Sequence, residues 1–268
     1  MSDSIFLADG ELFVPTEQAS GPWDPKALHG GAPAALITAA FERLQPGGEL
    51  VIARLGFELL RPVPLAPLRL SVRIVRPGRR VQELATELHS AGELICRASA
   101  LRVQAVPDGL PALREDRAAV SASVDRPMPG PDSGAPVRFA LDDPGRASFA
   151  SSVMEMRWLD DPWEPGPARV WMRMRHPLLP GEALTPLARL AATSDFGNGV
   201  GAVLAFSEYL FINADLTIHL SRAPRGEWIG LDARTLVHAG GAGLAESVIH
   251  DSDGPVGRAF QTLVVQPR

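Results

Sequence analysis

The 268-residue sequence predicts an α+β protein made of two copies of one unit, a central helix followed by a meander of antiparallel strands. Three observations carry this reading. Two helix-like runs rich in small apolar residues occur, at 30–40 and 186–197. Each is followed by four strand-like segments separated by turn residues. Finally, Arg54-Leu55-Gly56-Phe57-Glu58-Leu59-Leu60-Arg61-Pro62 aligns with Asp215-Leu216-Thr217-Ile218-His219-Leu220-Ser221-Arg222-Ala223, an offset of 222 − 61 = 161. The same offset lays Ile95-Cys96-Arg97-Ala98 on Val256-Gly257-Arg258-Ala259, as internal duplication requires.

Taken in order, residues 5–14 read as strand, turn and strand around Asp9-Gly10. A loop punctuated by Gly21-Pro22-Trp23-Asp24-Pro25 leads to Gly30-Gly31, which opens the first helix. The small side chains of Ala32, Ala34 and Ala35 let a sheet approach closely, and Gln45-Pro46-Gly47-Gly48 ends the helix. Strands are expected at 51–60, 68–75, 80–89 and 93–106. The composition then shifts to proline, glycine, serine and charge, so the predicted units are 1–106, a connection over 107–145, and 146–268. In the second unit, strands at 151–158 and 168–175 precede a helix opened by Thr185-Pro186, a capping residue and a proline in the first turn. Strands follow at 211–220, 227–237, 243–250 and 256–265.

Asp195 stands out within the second helical run. A carboxylate in apolar surroundings is costly unless hydrogen-bonded or paired, so an acid placed there is a candidate for chemistry. The first helix has no such acid: matching Asp195 to Thr38 (195 − 38 = 157) leaves the position blank.

Bulk composition excludes several functions. The chain is 46% hydrophobic and 21% charged, ordinary for a soluble globular protein. A net charge of −5 argues against nucleic acid as the main partner. The local cluster Arg73, Arg76, Arg79 and Arg80 reads either as a solvated strand end and turn or as a contact for a small anionic ligand. One cysteine, Cys96, permits no internal disulfide and fits a reducing compartment; its apolar strand context reads as an inert buried thiol. The N-terminal residues lack the basic start and apolar core of a signal peptide, and no apolar run reaches bilayer length, so a cytoplasmic protein without a membrane partner is expected. The histidines lack ligand spacing, so neither metal nor cofactor is expected. Gly197-Asn198-Gly199-Val200-Gly201 does not follow a strand, which removes the phosphate-loop and dinucleotide readings.

The two halves resemble the double-hotdog acyl-CoA thioesterases, the bacterial type II thioesterase-like group, over nearly the whole chain except the proline-rich connection. In a hotdog fold a curled antiparallel sheet wraps one central helix. The resemblance implies hydrolysis of an acyl-CoA by a water held by three side chains: Asp195 in Ala192-Thr193-Ser194-Asp195-Phe196, Thr217 in Asp215-Leu216-Thr217-Ile218-His219, and Gln261 in Ala259-Phe260-Gln261-Thr262. Arg222-Ala223-Pro224-Arg225-Gly226-Glu227-Trp228 resembles the family's Arg-Pro…Glu-Trp run. At the repeat offset, Thr217 corresponds to Gly56 and Gln261 to Ala100, so the first half lacks the trio. Conversely, His29-Gly30-Gly31 resembles the His-Gly-Gly of single-hotdog thioesterases, where a glycine amide polarises the thioester carbonyl. Free N–H groups at a helix start suit a developing oxyanion. One composite site is therefore expected, with Gly30 or Gly31 amides facing Asp195, Thr217 and Gln261. His29 either tunes that pocket or makes a structural hydrogen bond. Two alternatives stay open: an acyl-thioester hydratase or dehydratase, for which Asp215 with His219 would supply an Asp/His pair, and a non-catalytic acyl-CoA-binding protein. By analogy, a homodimer or larger homo-oligomer is expected.

Overall fold

The computed structural model describes residues 3–44, 49–106, 126, 128–137 and 147–268. A small hairpin, β1 (Phe6–Asp9) and β2 (Leu12–Pro15), turns through Gly10 at φ +58°. Helix α1 (Gly31–Arg43) follows, then β3 (Leu50–Leu59), β4 (Arg69–Leu70), β5 (Arg73–Arg76), β6 (Val81–Ser90) and β7 (Glu93–Gln104). The second half contains β8 (Ala135–Pro136), β9 (Met154–Trp158), β10 (Ala168–Met174), helix α2 (Pro186–Ser194), the single turn α3 (Gly197–Val200), β11 (Tyr209–Asn213), β12 (Asp215–Leu220), β13 (Ile229–Val237), β14 (Ala242–Asp251) and β15 (Gly254–Pro267). No helix among the described residues is long and apolar enough to cross a membrane.

One antiparallel sheet holds thirteen of these strands in the order β4-β6-β7-β3-β12-β15-β14-β13-β10-β9-β8, with β5 also on β6 and β11 also on β15. The halves join at β3 and β12, where Gly56 lies opposite Thr217. These two residues are also equivalents at the repeat offset of 161, so a local twofold relation between the halves passes through that pair. Alternation along the strands puts Leu55 and Phe57, or Leu216 and Ile218, on the buried face and leaves the opposite face to polar side chains.

The two helices lie together inside this curl. A Cβ on Gly31 would stand 2.6 Å from the carbonyl oxygen of Ala192, so glycine sets the closeness of the helix contact. Arg102 on β7 is 2% exposed and donates to the carbonyl oxygens of Phe41 and Leu44, each at 2.6 Å. It thereby satisfies carbonyls that the C-terminal end of α1 cannot pair internally, where a cation also favours the helix dipole. Thr185 caps α2 by accepting from the Ala188 amide at 3.1 Å, and its hydroxyl donates to Glu42 on α1. Burial pushes the Glu42 carboxyl above its ordinary range, against the pull of the Thr185 hydroxyl and the Arg102 charge.

Several expectations change in detail. The strand expected at 68–75 is two short pieces, β4 and β5, because β6 pairs with each at a different end. The strand expected from 151 begins at Met154, after a π-helical turn over Phe149–Val153. The expected strand 211–220 is broken between β11 and β12. The helix stop at 45–48 and most of the 107–145 connection lie outside the described residues. Within that connection, Ala135–Pro136 pairs with β9, and Trp171 donates to the Pro129 carbonyl at 2.6 Å, which ties this stretch to the second half.

Candidate active site

Helix α2 ends at Ser194, and Asp195 is its C-terminal cap with φ −68° and ψ −16°. The acid therefore closes the helix rather than standing mid-run, as the sequence had implied. Its carboxylate is 6% exposed and is gripped from two sides. Asn213, the last residue of β11, donates through Nδ2 to Oδ1 at 2.8 Å. His29, just before α1, places Nδ1 3.0 Å from Oδ2. The imidazole stacks on Phe196, with ring centroids 4.2 Å apart, and also lies near-parallel to Phe149, at 5.2 Å.

Gly30 completes the contact between the halves. Its Cβ, if present, would lie 2.7 Å from Oδ1 and 2.8 Å from Oδ2 of Asp195, so only glycine lets the carboxylate rest on the start of α1. The Gly31 amide donates to His29 Nδ1 at 3.1 Å, whereas the Gly30 amide donates to no protein acceptor among the described residues. The free donor of the expected oxyanion pair is thus Gly30. A single ring nitrogen cannot both accept from Gly31 and donate to Asp195. When Nδ1 carries the proton it bonds the carboxylate, and the Gly31 amide is released as a second donor.

Gln261 on β15 is 1% exposed. Its Nε2 donates to the Asp195 carbonyl oxygen at 3.1 Å, and its Oε1 accepts from the Asn198 amide at 2.9 Å. It therefore fastens the end of α2 to the beginning of α3, fixing the backbone on which the carboxylate stands. The Asn198 side chain donates to the Phe211 carbonyl at 3.2 Å, two residues before Asn213.

Thr217 is not brought to this group. Leu216, its neighbour, lines the crevice beside Asp195 and Gly30. Thr217 itself lines a hollow on the opposite face of the sheet with Gly56, Ser99, Arg54 and His219. The cause is the break between β11 and β12. Phe211 and Asn213 share one alternation, but after Ala214 and Asp215 the buried positions become 216 and 218. Asn213 occupies the place expected for the hydroxyl, and sequence reasoning missed it. The signal available was a hydrogen-bonding side chain two residues after an apolar one, ahead of the break. Asp215 and His219 also line the outer hollow, with Asp215 accepting from the Thr262 amide, so this pair does not reach the crevice.

The other residues that stand out in the sequence have the following surroundings. Cys96 lines the apolar crevice, and burial together with the Glu58 charge pushes its thiol up to about 12, which removes it as a nucleophile. Arg73, Arg76, Arg79 and Arg80 are all exposed along β5 and the turn after it, in keeping with a solvated strand end. In the 222–228 run, Arg222 grips the fully buried Asp251 carboxylate with two bonds of 2.6 Å, and the Arg225 amide adds a third at 2.9 Å. The guanidinium groups of Arg157 and Arg173 each lie over the Trp228 ring, 4.9 Å from its centroid. Among the described residues no group of three or more His, Cys, Asp or Glu is placed to hold a metal ion.

A sheet curled around paired helices, with an acid of one half resting on the helix start of the other, defines a double-hotdog enzyme with a composite site. Solved structures share the architecture. A Mycobacterium marinum protein described as acyl-CoA thioesterase II TesB2 is 18% identical, with a TM-score of 0.65 over 97% of this chain and 94% of that one. A Thermobifida fusca YX protein assigned as a thioesterase II is 17% identical, with a TM-score of 0.74 over 99% and 96%. An Alicyclobacillus acidocaldarius protein of unknown function, described as having a hot dog fold, is 16% identical, with a TM-score of 0.70 over 98% and 95%. A search of curated proteins found no match. The sequence profile of the acyl-CoA thioesterase N-terminal domain matches residues 19–103, and that of the acyl-CoA thioesterase C-terminal domain matches 120–265. The chain belongs to the acyl-CoA thioesterase family and is a thioesterase.

Proposed function

We propose that the protein hydrolyses an acyl-CoA to the free acid and CoA at the crevice headed by Asp195, with Asp195 as general base, Asn213 and His29 orienting its two oxygens, and Gly30 as oxyanion donor. The observation that carries this reading is the carboxylate itself. It is buried, held at both oxygens, and packed on a helix start whose Gly30 amide has no acceptor among the described residues. A thioester carbonyl placed on that amide sits where the positive helix end favours developing negative charge. Water beside Asp195 loses a proton to the carboxylate as it attacks the carbonyl carbon. The tetrahedral intermediate collapses with cleavage of the C–S bond, and the proton passes to the departing thiolate. Gln261 acts through the backbone of Asp195, not on the water.

Asp195→Asn tests this directly. A positioned general base contributes on the order of 10²–10⁴-fold, so thiol release should fall at least a hundredfold while the circular dichroism spectrum stays that of the parent. Full turnover by the folded variant would refute the assignment. One observation favours a second reading: His29 with Asp195 forms the Asp/His pair that a hydratase requires, in place of Asp215 with His219. Addition of water to an enoyl thioester without thiol release would select it. The proposal includes self-association through the sheet edges at β4 or β8, read by light scattering.

A further inference from the structure

The run Gly197-Asn198-Gly199-Val200-Gly201, which does not fit a phosphate loop, has another use in the fold. It forms α3, a single turn laid across β13, β14 and β15. A Cβ on Gly197 would stand 2.6 Å from Ser247 Oγ on β14 and 2.9 Å from Gln261 Oε1 on β15. One on Gly201 would stand 2.8 Å from the backbone of Arg234 on β13. Glycine at both places lets the turn press on the strands, which fixes the backbone of Asn198. Asn198 is itself only 9% exposed.

Strand β11, which carries Asn213, pairs with β15 alone among the described residues. Phe211 on β11 lies opposite Val265, whose amide turns the other way and donates to the Gly241 carbonyl. Phe211 and Val265 are therefore a non-hydrogen-bonded pair of the ladder, and the Phe211 carbonyl points away from β15. In a central strand the next strand would satisfy that carbonyl; a buried one left alone is costly. Here Asn198 takes the place of the missing strand, donating through Nδ2 at 3.2 Å.

The bonds close a ring on Asp195. It runs from the Asp195 carbonyl through Gln261 to the Asn198 amide, and from the Asn198 side chain to the Phe211 carbonyl. It then follows β11 to Asn213, whose Nδ2 returns to the Asp195 carboxylate. Resting on the hydrolase reading above, we infer that Asn198 is a positioning residue: it holds the edge strand β11 so that Asn213 meets Asp195 Oδ1, and it acts on the reaction through that bond.

The experiment is a double-mutant cycle of the parent, Asn198→Ala, Asn213→Ala and the double variant. It reads thiol release from whichever straight-chain acyl-CoA, acetyl to palmitoyl, the parent cleaves fastest. Asn198→Ala should lower kcat about tenfold and leave KM within about twofold, the split left by a group that serves the transition state and not substrate binding. In the Asn213→Ala background the same change should cost less than about twofold, because residues that act through one another are not additive. Asn198→Asp keeps the volume but, once ionised, has nothing to donate. It should behave as Asn198→Ala does, and it replaces that variant if alanine does not fold. Losses that multiply in the double variant, a loss carried by KM, or an unchanged kcat in folded single variants would overturn the inference. If the parent cleaves no acyl-CoA, the hydrolase reading fails separately. The ring is then read by NMR from hydrogen exchange of the Asn213 side-chain amide, a signal assigned by its loss in Asn213→Ala. Exchange at least about tenfold faster in Asn198→Ala is expected, and an unchanged rate overturns the inference.

Discussion

The α-carbon of Gly30 rests against the carboxylate of Asp195 so closely that a methyl group there would stand 2.7 Å from Oδ1. Two halves of the chain, 165 residues apart at this contact (195 − 30 = 165), meet with no side chain between them. The first prediction follows from that distance. Gly30 has φ −58° and ψ −25°, which alanine adopts without strain, so Gly30→Ala acts through the clash alone. The neighbour that must yield is the carboxylate end, so kcat for thiol release should drop at least tenfold. Overpacking typically costs about 1–3 kcal/mol, so thermal denaturation should still show a folded protein. Unchanged kcat would mean that Asp195 need not sit where it does.

Asn213 and Thr217 separate the two versions of the site. Hydrogen bonds to charged groups contribute about 1.5–3 kcal/mol, so Asn213→Ala should lower kcat roughly ten- to hundredfold. Thr217→Val, on the far face of the sheet, should remain within about twofold of the parent. The reverse ranking in steady-state assays would restore the threonine and remove the asparagine.

Gln261 joins two buried backbone groups, the Asp195 carbonyl and the Asn198 amide. Gln261→Leu leaves both without a partner, and each unpaired buried group costs about 1–3 kcal/mol. A lowered denaturation midpoint together with reduced kcat is expected. Gln261→Glu keeps an acceptor for Asn198 and should recover part of the stability but not the bond to Asp195. Equal stability of the parent and the leucine variant in urea would contradict this role.

Acid sensitivity should trace to Asp251. Burial alone would raise its pKa, but the paired bonds from Arg222 and the amides of Arg225 and Asp253 outweigh it and hold the carboxyl below the ordinary range. A carboxyl whose folded value is depressed contributes stability in full above its unfolded value, about 3.9, and loses it as pH falls through the folded one. Asp251→Asn should therefore destabilise the protein near pH 7 by about 1.5–3 kcal/mol, the contribution of hydrogen bonds to a charged group, since the Arg222 side chain it would leave is one-third exposed. The gap between parent and variant in urea titrations should narrow below pH 4. A gap independent of pH would show that the charge is not what Arg222 holds.

The sequence by itself was enough to determine the duplication, both central helices and the meanders after them; the meeting of an acid from one copy with glycines from the other came only from the family resemblance. These features are local: small residues at helix spacing, turn residues between strands, and a capping threonine before a proline are written in adjacent positions. The offset of 161 was legible because both copies still obey the same packing rules, and the buried Gln261 answers to the equally buried Ala100. What only the tertiary structure decided was which side of the sheet each polar residue faces. Strand side chains alternate with period two, so the break at Ala214 between β11 and β12 exchanged the faces, carrying Asn213 to the carboxylate and Thr217 away from it. Thr217 lies opposite its own repeat equivalent, Gly56, at the seam. Such a shift is set by how β11 and β12 each pair with β15 and β3, and that pairing between distant strands leaves no mark on the neighbouring residues.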